Sequence, residues 1–351
     1  MNKRYNADAL IEFAGALLGR AGLEADKAES VAEILVEGDL LGHTTHGLQL
    51  LSLYLAEIEG GRMSRAGLPK VVANFPAAVT WDGMRLPGPW LTLRAIDMAI
   101  GRARISGTCT FVIRRSHHIG CLAAYLKRVT DQGLMILLTC SDPYSGAVAP
   151  HGGRAGVYTP NPLAAAWPTD GEPVMFDICQ SITTNIMTRR LQAEERRFPG
   201  TWVVDNQGNP SDDPAVMLTD PPGALLPTGG LDHGHKGYAM GLLVEALTGG
   251  LAGHGRADPK EGWSSTTYLQ VFDPALYGGG AEFSRQMTHL SEACRSTPTR
   301  PGFDRVRLPG ERGLRRRAAQ IKEGVELYPS IVPALNPWIE KLGIPLPDAL
   351  S

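Results

Sequence analysis

Apolar residues recur at helical spacing through the first sixty positions of the chain. Leu10, Ala14, Leu17 and Leu18 form one face. Val31, Ile34, Leu35, Leu40 and Leu41 form a second, and Leu48, Leu51, Tyr54, Leu55 and Ile58 a third, which stops at Gly60-Gly61. This pattern predicts three helices between Ala7 and Glu59. After a polar connection from Arg62 to Lys70 the period changes: Val71-Val72 and Val79-Thr80-Trp81 read as strands, with Asp82-Gly83 a turn. Helical spacing returns over Trp90–Ala103, and then a strand (Thr108–Arg114), a helix (Cys121–Val129) and a strand (Leu134–Thr139) follow. Short β-like runs at Leu163–Trp167, Val174–Ile178 and Trp202–Asp205 lie among prolines and glycines. A helix is predicted from Tyr238 to Leu251, a strand pair over Trp263–Phe272, a helix over Glu282–Arg295 and a strand at Val306–Leu308. The tail from Leu314 to Leu342 reads as helical. The alternation predicts an α/β or α+β core.

Composition narrows the class. In 351 residues, 43% are hydrophobic and 20% charged, enough for a sizeable core and two domains. A net charge of −2 gives no general attraction to nucleic acid or to an anionic membrane. The cluster Arg312, Arg315, Arg316 and Arg317 reads as a solvated helix face. The five cysteines (Cys109, Cys121, Cys140, Cys179, Cys294) are scattered without a CxxC pair, which fits a reducing compartment. The first helix is amphipathic rather than a signal sequence, and no apolar run is long enough for a membrane span. A cytoplasmic protein is expected.

Histidines carry the candidate chemistry. They gather in Gly42-His43-Thr44-Thr45-His46-Gly47, in Ser116-His117-His118-Ile119-Gly120 and in Asp232-His233-Gly234-His235-Lys236-Gly237. An imidazole moves protons near neutral pH, yet on spacing alone the first block reads equally well as cap and turn residues. No HExxH, cysteine pair or GxSxG elbow occurs, so neither a catalytic metal nor a serine nucleophile is expected. Gly249–Gly255 has glycines but follows a helix, so it reads as a helix stop and not as a dinucleotide fingerprint. His235-Lys236-Gly237 at a helix start is either an anion site or a plain helix start.

Taken together, these motifs resemble the malate/L-lactate dehydrogenase-like NAD(P)-dependent oxidoreductases, a family without a Rossmann fold. The blocks that carry the resemblance come in order: Gly42–Gly47 with Tyr54 and Gly60, Ser116–Tyr125, Asn161-Pro162, Asp177 with Ser181, Trp202–Pro214, Lys236-Gly237-Tyr238 and Pro309-Gly310-Glu311. The Gly-His-x-x-His-Gly form is similar to the hydroxycarboxylate dehydrogenase branch. The resemblance implies an α+β fold: a helical domain from both chain ends (1–70 and 296–351) and an NAD(P)-binding domain (71–295) on a mainly antiparallel mixed sheet. It implies a homodimer with the site near the subunit interface. His46 matches the family's proton donor, and His118 a second active-site histidine that is a proton acceptor in one branch. The cofactor segments would be Asp177, Ile178, Cys179, Gln180, Ser181, Ile182 and Thr183, with His235, Lys236, Gly237 and Pro309, Gly310, Glu311. Asn161 joins them as a matching position.

The departures bear on the substrate. Leu41 and Thr45 stand where the family often has arginine and serine, and Ile186-Met187 where Gly-Lys is usual. Leu50 replaces an arginine suited to a substrate carboxylate. The expected reaction is hydride transfer between NAD or NADP and C2 of a small 2-oxo or 2-hydroxy acid, with a cyclic imino acid as the alternative substrate. His46 would be the acid, His118 would share the relay or orient the substrate, and Thr45 would bond substrate or cofactor. Asp177 would fix a histidine or hold a cofactor hydroxyl. Arg115 or Arg154 would take the carboxylate, with Leu50 as an apolar wall favouring bulky or cyclic side chains. Arg189-Arg190 either pair with a 2′-phosphate or lie on the surface. The competing class is a family member that has lost its cofactor and serves as a binding module.

Overall fold

Local capping sets where the first helices begin and end. In the computed structural model, which describes residues 3–350, Asn6 caps helix α1 (Ala7–Arg20) by accepting the Ala9 N–H at 3.0 Å. Strand β1 (Arg4–Tyr5) precedes it. Helix α2 (Ala25–Leu41) stops at Gly42, whose φ of 90° belongs to the left-handed region. A single 3₁₀ turn, Leu48–Leu50, then leads into α3 (Leu51–Glu59). The apolar faces of these helices meet Ile331 and Leu335 from the far end of the chain in one cluster. Each buried leucine there contributes about 1.5–3 kcal/mol.

The larger body is built on a seven-stranded sheet. Its strands are β2 (Lys70–Phe75), β3 (Ala78–Asp82), β4 (Thr108–Ser116), β5 (Met135–Ser141), β6 (Leu163–Trp167), β7 (Val174–Ile178) and β11 (Ser265–Phe272), in the spatial order β2-β3-β4-β11-β5-β6-β7. Only β3–β4 is parallel; the other pairings run antiparallel. Such a sheet is not a Rossmann fold, and the α+β expectation holds. Helices α4 (Gly88–Ser106) and α5 (Ala123–Thr130) cover one face through Trp90, Ile96, Leu126 and Val129.

Around this core lie α6 (Asn185–Ala193) and a small sheet of β8 (Val203–Val204), β9 (Pro210–Ser211) and β10 (Ala224–Leu225). The Trp202–Pro214 motif makes this sheet and its turn, where Asp205 accepts the Gln207 and Asn209 N–H groups. Helix α7 (Gly230–Glu245) precedes β11, and α8 (Gly280–Ser296), α9 (Glu311–Glu323), β12 (Val325–Glu326) and α10 (Ile331–Leu342) close the chain. β12 pairs with β1, so both ends of the described chain meet.

Several elements differ from the sequence reading. Trp263–Phe272 holds one strand and no pair, because β11 finds both neighbours, β4 and β5, elsewhere in the chain. Val306–Leu308 is irregular; alternation alone does not make a strand without a partner edge. The helical tail is broken by β12. α6 was not anticipated, and α7 starts at Gly230, with a non-helical His233 (φ −122°) where the helix kinks. Among the described residues no helix is long and apolar enough to cross a membrane.

Candidate active site

The loop after α2 is held from below by a buried carboxylate. Asp39, fully buried, accepts the Leu48 N–H at 2.7 Å. Any Cβ at residue 47 would run into this carboxylate, so only glycine lets the chain pass so close. The His46 N–H closes the turn onto the His43 carbonyl at 2.8 Å. His46 is thereby aimed inward, with the Thr45 hydroxyl 2.9 Å from its Nδ1. Burial raises the Asp39 carboxyl to about 7.

The second histidine block follows β4. His117 is wholly buried, with Nε2 3.3 Å from Glu57, and so serves the packing. His118 enters the site, its ring centroid 5.9 Å from that of His46 and 4.8 Å from that of Trp263. The Gly120 N–H points at His118 Nδ1 (3.2 Å), and the Tyr54 hydroxyl lies 2.8 Å from the same atom. An amide N–H only donates, so Nδ1 must accept, and the ring's proton sits on Nε2. Burial, with the neighbouring histidines, pushes His118 well below its ordinary value. It is a neutral ring that offers one N–H.

The third wall is the end of β7. Asp177 accepts the Ala123 N–H at 3.0 Å and faces the Cys121 sulfur at 3.6 Å. Burial lowers His46 to about 4, although the charge of Asp177 acts in the opposite direction. His46, His118, Asp177, Thr45 and Trp263 line one cavity of about 640 Å³, with Arg62 and Arg189 at its walls. A second cavity of about 670 Å³ shares His43 and Asp177 with the first. It is lined by Ile178, Pro309, Gly310, Arg307, Arg312 and Arg316, and these three arginines have no hydrogen-bond or ion-pair partner among the described residues. Gly310, at φ 91°, passes so close to Met175 that a Cβ would clash.

Several expected site residues sit elsewhere. Leu50 is fully buried among the helices and lines neither cavity, so it is no substrate wall. Arg115 is engaged by Asp82 at 3.4 Å and Glu261 at 3.3 Å, off the cavity. Arg154 is exposed and also off it. Asn161 is buried; its side-chain amide donates to the Gly241 carbonyl (3.1 Å) and to Glu245 (2.8 Å), clasping α7 to the sheet. In the expected cofactor segment, Asp177 and Cys179 face the first cavity and Ile178 the second. Gln180, Ser181 and Thr183 are buried and hold the loop, the Ser181 hydroxyl donating to the Thr183 carbonyl at 2.7 Å, while Ile182 packs beside Leu226.

His235 and Lys236 are exposed on α7 and line neither cavity. Gly237 packs against Thr228, whose N–H reaches the Gln180 carbonyl at 2.8 Å. Glu311 is taken by Arg295 (2.7 Å) and Arg305 (3.3 Å). Arg190 is pinned to Thr44 by two 3.1 Å bonds and stacks on Tyr328, whereas Arg189 faces the first cavity. The basic cluster is not one solvated face: Arg312 and Arg316 line the second cavity, and Arg317 pairs with Glu37 at 2.6 Å. Trp263 as a cavity wall escaped the sequence reading, because it reaches the site through long-range packing, and Arg189, read as a 2′-phosphate partner or a surface residue, lines the first cavity.

The sequence profile described as malate/L-lactate dehydrogenase matches residues 5–336. The chain belongs to this family. It is 33% identical to the L-lactate dehydrogenase of Cupriavidus necator over 96% of this chain and 97% of the relative. It is 27% identical to hydroxycarboxylate dehydrogenase B of Escherichia coli over 97% of this chain and 95% of that one. Among solved structures, malate dehydrogenase from Pyrococcus horikoshii superposes with a TM-score of 0.88 at 26% identity, covering 99% and 97% of the two chains. As a family member the chain is an oxidoreductase of 2-hydroxy acids that works with a nicotinamide cofactor.

Proposed function

We propose that the chain interconverts a small 2-hydroxy acid and its 2-oxo acid, with His46 carrying the proton and His118 orienting the reacting oxygen. The observation behind this reading is the pair of imidazoles, 5.9 Å apart, that face one cavity beside Asp177. The cofactor, when bound, takes or gives the hydride at C2. Hydride leaving C2 requires the hydroxyl to lose its proton, and hydride arriving requires the oxygen to gain one. His46, neutral at pH 7 because burial lowers it to about 4, receives that proton in oxidation. Protonated in the reduction direction, it is a strong acid, and the Asp177 carboxylate steadies the imidazolium. His118 cannot take a second proton without turning Nδ1 against the Gly120 N–H, so its Nε2–H acts as a fixed donor to the substrate oxygen.

Arg189 lines the cavity without a hydrogen-bond or ion-pair partner among the described residues and is assigned the substrate carboxylate in place of Arg115 or Arg154. The three unpaired arginines of the second cavity suit the phosphates of NAD or NADP, with Pro309-Gly310 as its floor. Residues 1–70 with 296–351 would form the helical domain and residues 71–295 the cofactor domain. The chain would act as a homodimer, with exposed Met240, Leu242 and Leu243 on α7 as part of the covered face. The five free cysteines fit the cytoplasm.

A panel of 2-oxo acids and cyclic imines with NADH and NADPH, followed by loss of nicotinamide absorbance, tests the reading. Turnover of 2-oxo acids with one reduced cofactor is expected. Turnover only of cyclic imines would replace the substrate class. No turnover and no change in nicotinamide fluorescence with either cofactor would leave a binding module.

A further inference from the structure

We propose that His43, Cys121 and Asp177 form a binding site for a zinc-class divalent cation at the junction of the two cavities. Three donors of different chemistry meet there: an imidazole nitrogen, a thiol sulfur and a carboxylate oxygen, all within 4.8 Å of one another. Cys121 is 2% exposed, and all three residues line the first cavity. The spacing suits tetrahedral coordination. Zinc–sulfur and zinc–oxygen bonds of about 2.3 and 2.0 Å at the tetrahedral angle hold sulfur and oxygen roughly 3.5 Å apart, and Cys121 Sγ lies 3.6 Å from Asp177 Oδ2. The pair on the sheet side is therefore already set. The His43 imidazole, on a partly exposed loop, supplies the third bond by a small swing inward.

The backbone fixes the carboxylate, since Asp177 Oδ2 is held by the Ala123 N–H at 3.0 Å. The donor set of sulfur, nitrogen and oxygen favours zinc over magnesium or calcium, which prefer all-oxygen shells. A fourth position opens to the cavity, where water or an oxygen of a 2-hydroxy acid completes the shell. On binding, the Cys121 S–H gives its proton to water and the sulfur enters as thiolate, so affinity rises with pH. The same event withdraws Asp177 from His46. The site therefore acts as a reversible block on turnover and not as part of it.

Cobalt(II) reads the site directly, because a bound thiolate gives a near-ultraviolet charge-transfer band and tetrahedral geometry gives intense visible bands. The full chain titrated with Co²⁺ is expected to show both at one ion per chain, with Zn²⁺ displacing the cobalt. Cys121→Ser, which exchanges one atom, is expected to abolish the charge-transfer band, and His43→Ala to weaken Co²⁺ binding at least ~10-fold. Circular dichroism checks the fold of each variant, and the loop variant alone decides the matter if Cys121→Ser does not fold. A wild-type chain without the band, a band that survives Cys121→Ser, or one lost only in Cys179→Ser overturns the assignment. In the dehydrogenase assay Zn²⁺ is expected to inhibit and a chelator to restore turnover. That arm rests on the proposed reaction, whereas the spectrum does not.

Discussion

The two cavities that meet at Asp177 are built from opposite materials. The first is walled largely by imidazoles, thiols and an indole, and burial displaces several of its titratable groups from their ordinary values: His46 falls to about 4, Asp142 rises to about 6 and Cys179 to about 12. The second is walled by three arginines that have no hydrogen-bond or ion-pair partner among the described residues. Burial tunes a proton carrier; unpaired guanidiniums hold anions well. On the proposed reading, the contrast separates a region for chemistry from a region for holding, with Asp177 lining both.

The sharpest way to break that division is His46→Ala. Its kcat is expected to fall by roughly 10²–10⁴-fold, the effect of losing a general acid–base, while cofactor affinity by fluorescence titration stays within the error. A variant that keeps most of its turnover would remove His46 from the chemistry. Arg312→Glu is the mirror experiment: cofactor Kd is expected to rise by about 10–100-fold, as for a lost charged hydrogen bond, with kcat at saturation little changed. Should kcat collapse instead, the second cavity does more than hold.

Arg189→Ala sharpens the first cavity from within. KM for a 2-oxo acid is expected to rise about tenfold, with the corresponding amide substrate unaffected; equal losses for acid and amide would deny Arg189 the carboxylate. Asp39→Asn has the smallest effect and appears in stability. The folded carboxyl titrates near 7 against 3.8 when solvated, facing Arg190 and Arg316 at a distance. Its contribution is thus present below pH 3.8 and lost as the pH rises through 7. His46, lowered from 6.5 to about 4, runs the other way and loses stability as the pH falls across that window. Asparagine still accepts the Leu48 N–H, so the variant's Tm is expected to gain on wild type by a few degrees between pH 4 and 7. A pH-independent gap would show that Asp39 does not titrate there.

Much of the scaffold was legible because its signals are local. Leu10 to Ile58 mark three helices by spacing, and β4, β5, β6 and β7 each contain a short apolar run. β11 was misread because its first residues, Ser265-Thr266-Thr267, are polar and buried; its place between β4 and β5 depends on segments more than a hundred residues away. α6 was missed because its apolar face is only Ile186, Met187 and Leu191 amid arginines. In the site, glycine-flanked motifs pointed to His46 and His118, since the turns that aim them are encoded beside them. Leu50 misled because sequence distance from His46 says nothing of which face a 3₁₀ turn buries. Asn161 misled for another reason: a matching motif position holds the fold together as readily as it holds a ligand.

The meeting of β1 with β12, and of Ile58 with Ile331, also sets a timetable. A chain emerging from the ribosome exposes the apolar faces of α1, α2 and α3 long before α10 exists to cover them. At about 5–20 residues per second, the roughly 270 residues between these partners take on the order of 15–50 s to synthesise. The sheet waits for most of that interval too, because β11, the strand that joins β4 to β5, is completed only at Phe272. A nascent chain of this design therefore carries an incompletely covered helical cluster through most of its synthesis.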